Sequence, residues 1–185
     1  MDLVNRYEVD EEEKYNRCST GTKKKIEFIF ALSYAPRLLS LDEPTAGVDM
    51  ISQRKMREDL ISFMEDGEHT MLIATHIVDD VRLLCDYVTV FHNGAIRGHF
   101  NKDEITQRWA RVWVSELPNQ LRNAPFVKSI DTSSNVIITD DFSELDDWIT
   151  EHGVDMVHLE RLSLDEVMEH LIEDVKFVAN LELKN

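Results

Sequence analysis

Two short apolar runs constrain the fold more than any other feature of the sequence. They lie at residues 38–41 and 70–75, and their length and composition are typical of buried parallel strands. Between them, residues 50–66 carry apolar side chains at helical spacing and end before Gly67, which suits the end of a helix. Because strand, helix and strand follow one another, the sequence predicts a crossover unit and therefore an α/β fold.

Polar side chains follow both predicted strands. Asp42 and Glu43 come directly after the first strand, and His76 follows the second. The carboxyl ends of parallel strands form the edge of the sheet where α/β proteins gather functional groups. Two successive carboxylates point in opposite directions, so one can hold a magnesium shell while the other orients or deprotonates a water. An Asp-Glu pair alone is more often a loop feature or a helix cap, but a histidine that can reach a phosphoryl oxygen favours a catalytic edge.

A third segment begins a helix upstream of these strands. Ser19 is a good N-cap for a helix that runs to about residue 34 and ends before Pro36. The expected apolar stripe of this helix is Ile26, Ile29, Phe30 and Leu32. Backbone amides, the serine hydroxyl and the positive helix end can face an anion together, and residues 23–25, three lysines, add positive charge. A capped helix with a solvated basic first turn is the plainer interpretation.

The remainder of the chain predicts a hairpin and then a second α+β region. After a helix at about 78–84, strands at 87–91 and 95–100 flank an Asn-Gly turn and form the antiparallel margin of a mixed sheet. Beyond residue 102 the pattern predicts strand 109–114, helix 117–123, strands 126–131 and 135–139, helix 142–152, strand 154–160 and helix 163–174. This order is that of a small ferredoxin-like domain. We therefore expect domains at 1–102 and 103–185.

Charge and cysteine content narrow the functional classes. The chain has 20 Lys and Arg against 36 Asp and Glu, a net charge of −16, so it lacks the basic excess that binding to a nucleic-acid backbone needs. A single nucleotide can still bind through backbone amides and a local cation. Cys18 and Cys85 form neither a disulfide framework nor a zinc motif, and no apolar run is long enough to span a membrane. These features predict a soluble protein of the reducing cytosol.

Four segments together resemble motifs of the ATPases of ABC transporters. They occur in the family's order and spacing within about residues 3–98: a signature-like segment (19–25), a Walker B-like strand (38–43), a D-loop-like segment (45–49) and a switch-histidine segment (74–76). The acidic C-terminal region resembles the appended domain of drug- and lipid-exporter types, in which residues 163–167 look like the start of a closing helix. The resemblance implies a P-loop NTPase core followed by the smaller domain.

The resemblance also implies roles for the residues at the sheet edge. Asp42 would support Mg²⁺ through water, and Glu43 would be the general base for attack by water on ATP. His76 would contact the γ-phosphate. ATP and magnesium are therefore the implied cofactors.

The family builds each ATP site from two subunits, which assigns a role to the signature-like segment. Ser19, Thr20 and Gly21 would close over the γ-phosphate of ATP held by a second ATPase subunit, and Asp49 would link the two sites. Thr20 replaces the usual glycine of the motif, and Thr22 replaces the usual glutamine. The implied partners are a homodimeric or heterodimeric ATPase subunit and a membrane-spanning transporter subunit.

One family motif is absent from the sequence. A P-loop needs Gly-x-x-x-x-Gly-Lys-Ser/Thr, and none of the six glycines occurs in that pattern. We therefore expect the chain to be the C-terminal portion of an ABC-type subunit whose Walker A region precedes Met1, and not to bind ATP usefully alone.

Three functions fit these observations. The leading expectation is a cytoplasmic ATP-hydrolysing subunit at the inner face of the membrane that powers export through a membrane partner. The alternative is a complete regulatory or binding module that donates its signature half-site to a partner ATPase without turnover of its own. A third is an ABC-type ATPase of DNA maintenance or translation, which the acidic charge and the lack of a basic patch or long heptads disfavour.

Overall fold

The predicted crossover unit is present in the structure, a computed structural model that describes residues 2–172. Its strands β1 (Leu38–Asp42) and β2 (Thr70–Ala74) pair in parallel. Four helices belong to the same part of the chain: α1 (Leu3–Arg6), α2 (Thr20–Ser33), α3 (Met50–Met64) and α4 (Val78–Leu84). The expected α/β class of this region is therefore confirmed.

Both long helices begin where the sequence provides a side-chain cap. The Ser19 hydroxyl accepts the backbone N–H of Thr22 at 3.1 Å, and the Asp49 carboxylate accepts the backbone N–H of Ser52 at 2.9 Å. Each cap satisfies one of the donors that a helix N-terminus leaves without an intrahelical partner. Gly67 follows α3 with φ of +71°, a backbone conformation that glycine adopts without steric penalty. The start of α2 and the stop after α3 therefore agree with the sequence prediction.

The apolar core of this region corrects the predicted stripe of α2. Phe28 is 4% exposed and belongs to the core, whereas Phe30 is 64% exposed and packs edge-on against Tyr34. At about 100° per residue, Phe30 lies about 200° around the helix from Phe28, so both cannot face the core. The buried members of this core are Tyr7, Phe28, Leu39, Val48, Met56 and Leu60.

The sequence predicts two fully buried parallel strands, but the structure buries only one face of them. Leu39 is 3% exposed, but Leu38 on the same strand and Leu72 on its neighbour are 61% and 63% exposed. Successive side chains point to opposite faces of a sheet, and the core described above covers only one face of this pair. Apolar composition alone did not reveal that the other face is open.

The predicted hairpin forms, but as a sheet of its own. Strands β3 (Tyr87–His92) and β4 (Ala95–Asn101) pair antiparallel across Asn93 and Gly94, which both have positive φ, as a tight hairpin turn requires. The hairpin is a separate two-stranded sheet and not the margin of the β1–β2 sheet, which corrects the prediction of one mixed sheet. The Asn-Gly turn is sufficient to pair β3 with β4. Nothing in the local sequence indicates whether a further strand pairs with either of them. An unpredicted helix, α5 (Lys102–Arg108), follows, capped by Asn101.

The second half has the predicted ferredoxin-like strand arrangement. Strands β5 (Ala110–Val114), β6 (Val127–Asp131), β7 (Val136–Thr139) and β8 (Met156–Arg161) form an antiparallel sheet in the order β6-β7-β5-β8. Strand β7 lies between β5 and β6, so the first β-x-β unit is split, as that fold class requires. Helix α6 (Phe142–His152) matches its prediction, whereas the predicted helix 117–123 is a 3-10 turn, Asn119–Asn123.

The last predicted helix, 163–174, is helical from residue 164 to 172, and its final two residues lie outside the described part of the chain. The contacts divide the chain into two compact units, Met1–Cys85 and Asp86–Asn185. The hairpin belongs to the second unit, and the domain boundary after residue 102 stays a prediction. None of the helices within residues 2–172 has the length and apolar character needed to cross a bilayer.

Two methionines of α3, one buried and one exposed, provide a matched test of the core that contains Phe28 and Met56. Met56 is fully buried and Met50 is 84% exposed. We expect Met56→Ala to lower the free energy of unfolding by about 2–4 kcal/mol, because it removes buried apolar atoms and leaves a cavity. Met50→Ala should change it by less than about 0.5 kcal/mol. Urea denaturation followed by circular dichroism measures both values, and equal effects would contradict this assignment of the core.

Candidate functional site

The parallel register brings the two strand ends together. Asp42 is opposite Ala74 in the pairing of β1 with β2, and the backbone N–H of Glu43 donates to the Ala74 carbonyl at 2.8 Å. This bond continues the ladder one step beyond β1. Glu43 and His76 therefore leave the sheet at the same edge.

The carboxylate of Glu43 receives donors from the end of the second strand. Glu43 Oε1 lies 2.6 Å from Nδ1 of His76 and accepts the backbone N–H of His76 at 3.2 Å, while the Thr75 hydroxyl donates to Oε2 at 3.3 Å. The hydrogen bond from the His76 side chain is the largest cause that holds the pKa of Glu43 below its ordinary value. Glu43 is therefore a carboxylate at neutral pH.

The exposed imidazole of His76 leaves room for a further contact. Its side chain is 78% exposed, against 33% for Glu43. When Nδ1 donates to Glu43 in a neutral imidazole, Nε2 is an acceptor. His76 can donate to a phosphoryl oxygen only as an imidazolium or after it releases Glu43.

The backbone at Glu43 is strained. Its φ is +47°, in the left-handed region that costs a residue with a Cβ atom about 1–2 kcal/mol. Three hydrogen bonds stabilise this turn: the N–H bond to Ala74 described above, and two that the carbonyl accepts, from the Lys24 side chain and the Ala46 N–H. Strain of this kind occurs where the surrounding structure fixes a functional side chain.

Asp42 differs from its neighbour in its surroundings. Its side chain is exposed and forms no hydrogen bond or ion pair within residues 2–172. In the same residues no cluster of three metal-binding side chains is present. Mg²⁺ at nucleotide sites is commonly held by one or two carboxylates and by phosphate oxygens. A single available carboxylate at this edge fits an ion that arrives with a nucleotide.

The signature-like segment forms the first turn of α2. The Thr22 N–H donates to the Ser19 hydroxyl at 3.1 Å, and the two hydroxyls are hydrogen-bonded to each other at 2.8 Å. Ser19 and Thr20 are exposed. Within the described residues the N–H groups of Thr20 and Gly21 have no partner. A Cβ atom on Gly21 would lie 3.2 Å from the Gly47 carbonyl, so a glycine allows the D-loop-like segment to approach the helix closely.

The three lysines of this turn each contact a group of the protein, and of these groups only the Asp49 carboxylate carries a charge. Lys23 lies 5.6 Å from the centre of the Tyr15 ring, and the side chains of Lys24 and Lys25 contact Glu43 and Asp49. Each lysine thus has a partner within the protein. Lys24 and Lys25 lie on the first turns of α2 and contact the loop that follows β1. The spacing of residues in the sequence does not reveal such long-range pairs.

Asp49 links the D-loop-like segment to two elements. Its carboxylate caps α3 through the N–H and hydroxyl of Ser52, and it pairs with Lys25 of α2 at 2.9 Å. The N–H of Ser52 is the largest cause that places the pKa of Asp49 far below its ordinary value, followed by Lys25. The residue predicted to link two sites therefore forms a bridge between α2 and α3 within one chain.

Three contacts of the site were not predicted from the sequence. Thr75 reaches the carboxylate of Glu43, Lys24 reaches its carbonyl, and Lys25 reaches Asp49. Thr75 ends the second apolar run directly before His76, so its position at the strand end was the available indication. The two lysines act over distances in sequence of about twenty residues, for which one sequence offers no indication.

Comparison with family models gives no match for this chain. Curated relatives include the ABC transporter ATP-binding protein YtrB of Bacillus subtilis, 26% identical over 111 residues that cover 60% of this chain and 38% of YtrB. The bacitracin transport ATP-binding protein BcrA of Bacillus licheniformis is 31% identical, over 55% of this chain and 33% of BcrA. The nitrate import ATP-binding protein NrtD of Synechococcus elongatus is 34% identical, over 43% of this chain and 29% of NrtD.

A solved structure of an ATP-binding subunit of an ABC transporter has a TM-score of 0.49 and 24% identity, over 57% of this chain and 44% of that one. The chain spans less than two fifths of the length of the three curated relatives. The sequence similarities confirm the resemblance at the level of ABC transporter ATP-binding proteins. They do not distinguish the drug- and lipid-exporter type, because a nitrate import protein is among the relatives.

The hydrogen bonds to Glu43 predict how its pKa responds to substitution. We expect His76→Ala to raise the pKa of Glu43 towards its ordinary value, and Thr75→Val to raise it less. A carboxylate with a lowered folded-state pKa adds stability above its unfolded pKa and loses it as pH falls through the folded value, so His76→Ala should weaken this acid-side dependence. Carboxyl NMR titration measures the pKa. Glu166, whose pKa Arg111 lowers to about 2, is the internal reference and should not change.

Proposed function

We propose that this chain supplies the hydrolytic carboxylate and a signature half-site to an ATP-hydrolysing subunit of an ABC transporter. The observation that carries the proposal is the arrangement at the sheet edge, where Glu43 is held by Thr75 and His76 beside the available carboxylate of Asp42. Its sequence similarity to ABC transporter ATP-binding proteins supports the same reaction class.

In this proposal Glu43 is the general base. Its carboxylate is ionised at neutral pH, since even the ordinary pKa of a glutamate lies well below 7 and that of Glu43 is lower still, so it can accept a proton from the water that attacks the γ-phosphate. Asp42 would hold, through water, the magnesium that accompanies ATP, which would supply neutralisation of the phosphate charge. His76 contacts the γ-phosphate from the neighbouring strand end.

The signature-like segment acts on a second nucleotide. Ser19, Thr20 and Gly21 close over the γ-phosphate of ATP held by a second ATPase subunit, identical or different. Two N–H groups without partners at the positive end of a 14-residue helix support this role, because such a helix end attracts anions. Asp49 links the two sites, and its bridge between α2 and α3 is the contact that supports this step.

The proposal also covers the direction of transport and the location of the chain in the cell. We assign the chain to the drug- and lipid-exporter type, at the cytoplasmic face of a membrane and bound to a membrane-spanning subunit. A second α+β unit is the feature that supports this type. The helix that begins at residue 164 starts with a reciprocal cap, in which the Ser163 N–H donates to Glu166 at 2.9 Å and the Glu166 N–H donates to the Ser163 hydroxyl at 3.4 Å.

Glu43→Gln tests the general base. In the assembly that contains this chain and a P-loop, we expect ATP binding to persist and turnover to fall by about a hundredfold or more, because the amide keeps the shape but accepts no proton. Equilibrium ATP binding and phosphate release measure the two properties. Glu68→Gln, at an exposed position of the same unit, should leave both unchanged. Wild-type turnover in Glu43→Gln would remove Glu43 from the mechanism.

The phosphate cradle gives a second test. The sequence contains no Gly-x-x-x-x-Gly-Lys-Ser/Thr, and bare backbone amides with a lysine are what hold the phosphates in this class. We expect titration calorimetry of Mg-ATP into the 185-residue chain alone to show no micromolar binding. Micromolar affinity would show that the chain holds ATP by other groups and would contradict the division of labour proposed here.

A further inference from the structure

A buried carboxylate lies next to the candidate site without being part of it. Asp80 of α4 is 0% exposed. Its Oδ1 accepts a hydrogen bond from Nε of Arg57 at 2.7 Å, and its Oδ2 accepts one from the hydroxyl of Thr45 at 2.6 Å. Thr45, the first residue of the D-loop-like segment, is also fully buried. Asp80 therefore joins α3, α4 and the loop that follows Glu43.

A second hydroxyl connects Asp80 to the site itself. The oxygen of Thr75 lies 3.5 Å from Asp80 Oδ2 and 3.3 Å from Glu43 Oε2, and it accepts the N–H of Ile77 at 3.0 Å. A hydroxyl has one proton, so Thr75 donates to one carboxylate at a time. The two carboxylates thus share one donor, which stands on the segment that carries His76.

We propose that Asp80 is a positioning residue that fixes the D-loop-like segment and the switch-histidine segment relative to Glu43. Its role in catalysis rests on the proposed function of Glu43, whereas its role in ordering these two loops does not. Through Thr45 it holds the chain two residues after Glu43, and through Thr75 it holds the residue before His76.

The chemistry of the site favours positioning over simple packing. Burying a carboxylate is expensive unless charged and polar partners surround it, and apolar residues of similar volume often stabilise a core equally well. Here three donors from three different segments converge on one side chain, and Arg57 is itself only 14% exposed. An arrangement of this kind specifies the geometry of the segments that it joins.

Site-resolved amide hydrogen exchange by NMR tests this proposal on the 185-residue chain. In Asp80→Asn we expect the amides of His76, Ile77 and Val48 to exchange roughly tenfold faster or more, because the donor or the acceptor of each hydrogen bond lies on one of the two released loops. Amides of the β1–β2 ladder should keep their wild-type rates. Uniform acceleration of all amides would show that Asp80 serves only overall stability, and unchanged loop amides would also overturn the proposal.

Matched variants separate the contributions of the individual hydrogen bonds to Asp80. Asp79→Asn removes a carboxylate from the adjacent position of α4, where Asp79 is exposed and pairs with Arg82 at 3.1 Å, and should change none of these rates. If Asp80→Asn does not fold, Thr45→Val and Thr75→Val each remove one donor. We expect Thr45→Val to accelerate Val48 selectively and Thr75→Val to accelerate His76, whose N–H donates to Glu43 and not to Thr75, with Thr75→Ser restoring the wild-type rate. No selective change in either would overturn the proposal.

A kinetic measurement distinguishes this proposal from the proposed function. In the assembly that hydrolyses ATP, Asp80→Asn should lower kcat about tenfold or more with KM within about twofold of wild type, because it displaces the base and not the nucleotide. A change in KM alone would contradict a positioning role. If Glu43→Gln leaves turnover intact, the proposed function fails, while the exchange experiment still decides whether Asp80 orders the two loops.

Discussion

The parallel pairing of β1 with β2 is the constraint on which the candidate site depends. Asp42 is opposite Ala74, and one further bond from Glu43 to that carbonyl fixes where the chain leaves the sheet. A shift of one residue would turn every side chain of a strand to the other face. The Glu43 carboxylate would then no longer meet the donors of Thr75 and His76. The crossover helix α3 thus serves the site by holding two strand ends in register.

Lysine side chains form specific local contacts in the first unit although the chain as a whole is strongly acidic. The chain carries a net charge of −16, yet Lys24 and Lys25 are directed towards a carbonyl and a carboxylate of the loops after β1. These contacts hold the start of α2 against those loops, and the close approach of Gly21 to Gly47 allows them. At this helix end the backbone N–H groups and the positive charges of Lys23 and Lys24, whose partners are uncharged, can both attract an anion.

The sequence was informative where a local rule applies and silent where distant residues meet. The Ser19 cap of α2, the stop at Gly67 and the Asn-Gly turn were predictable because each depends on a few adjacent residues. The choice of Phe28 over Phe30 as the core residue of α2 was not, because two apolar residues on opposite faces give no preference without knowledge of the partner. The burial of Asp80 was hidden for the same reason, since its donors come from three separate segments.

Hydrogen bonding at Glu43 sets a condition on the proposed reaction. The bonds that hold the carboxylate in place also lower its pKa, and so they weaken it as a base. His76 provides the largest part of this effect through the same imidazole that would contact the γ-phosphate. Under the proposed function, a His76 side chain that moves from Glu43 to phosphate removes that donor and raises the proton affinity of the carboxylate. Nucleotide contact and activation of the base are then one event, and the hydrogen bond from Thr75 can keep Glu43 in place while it occurs.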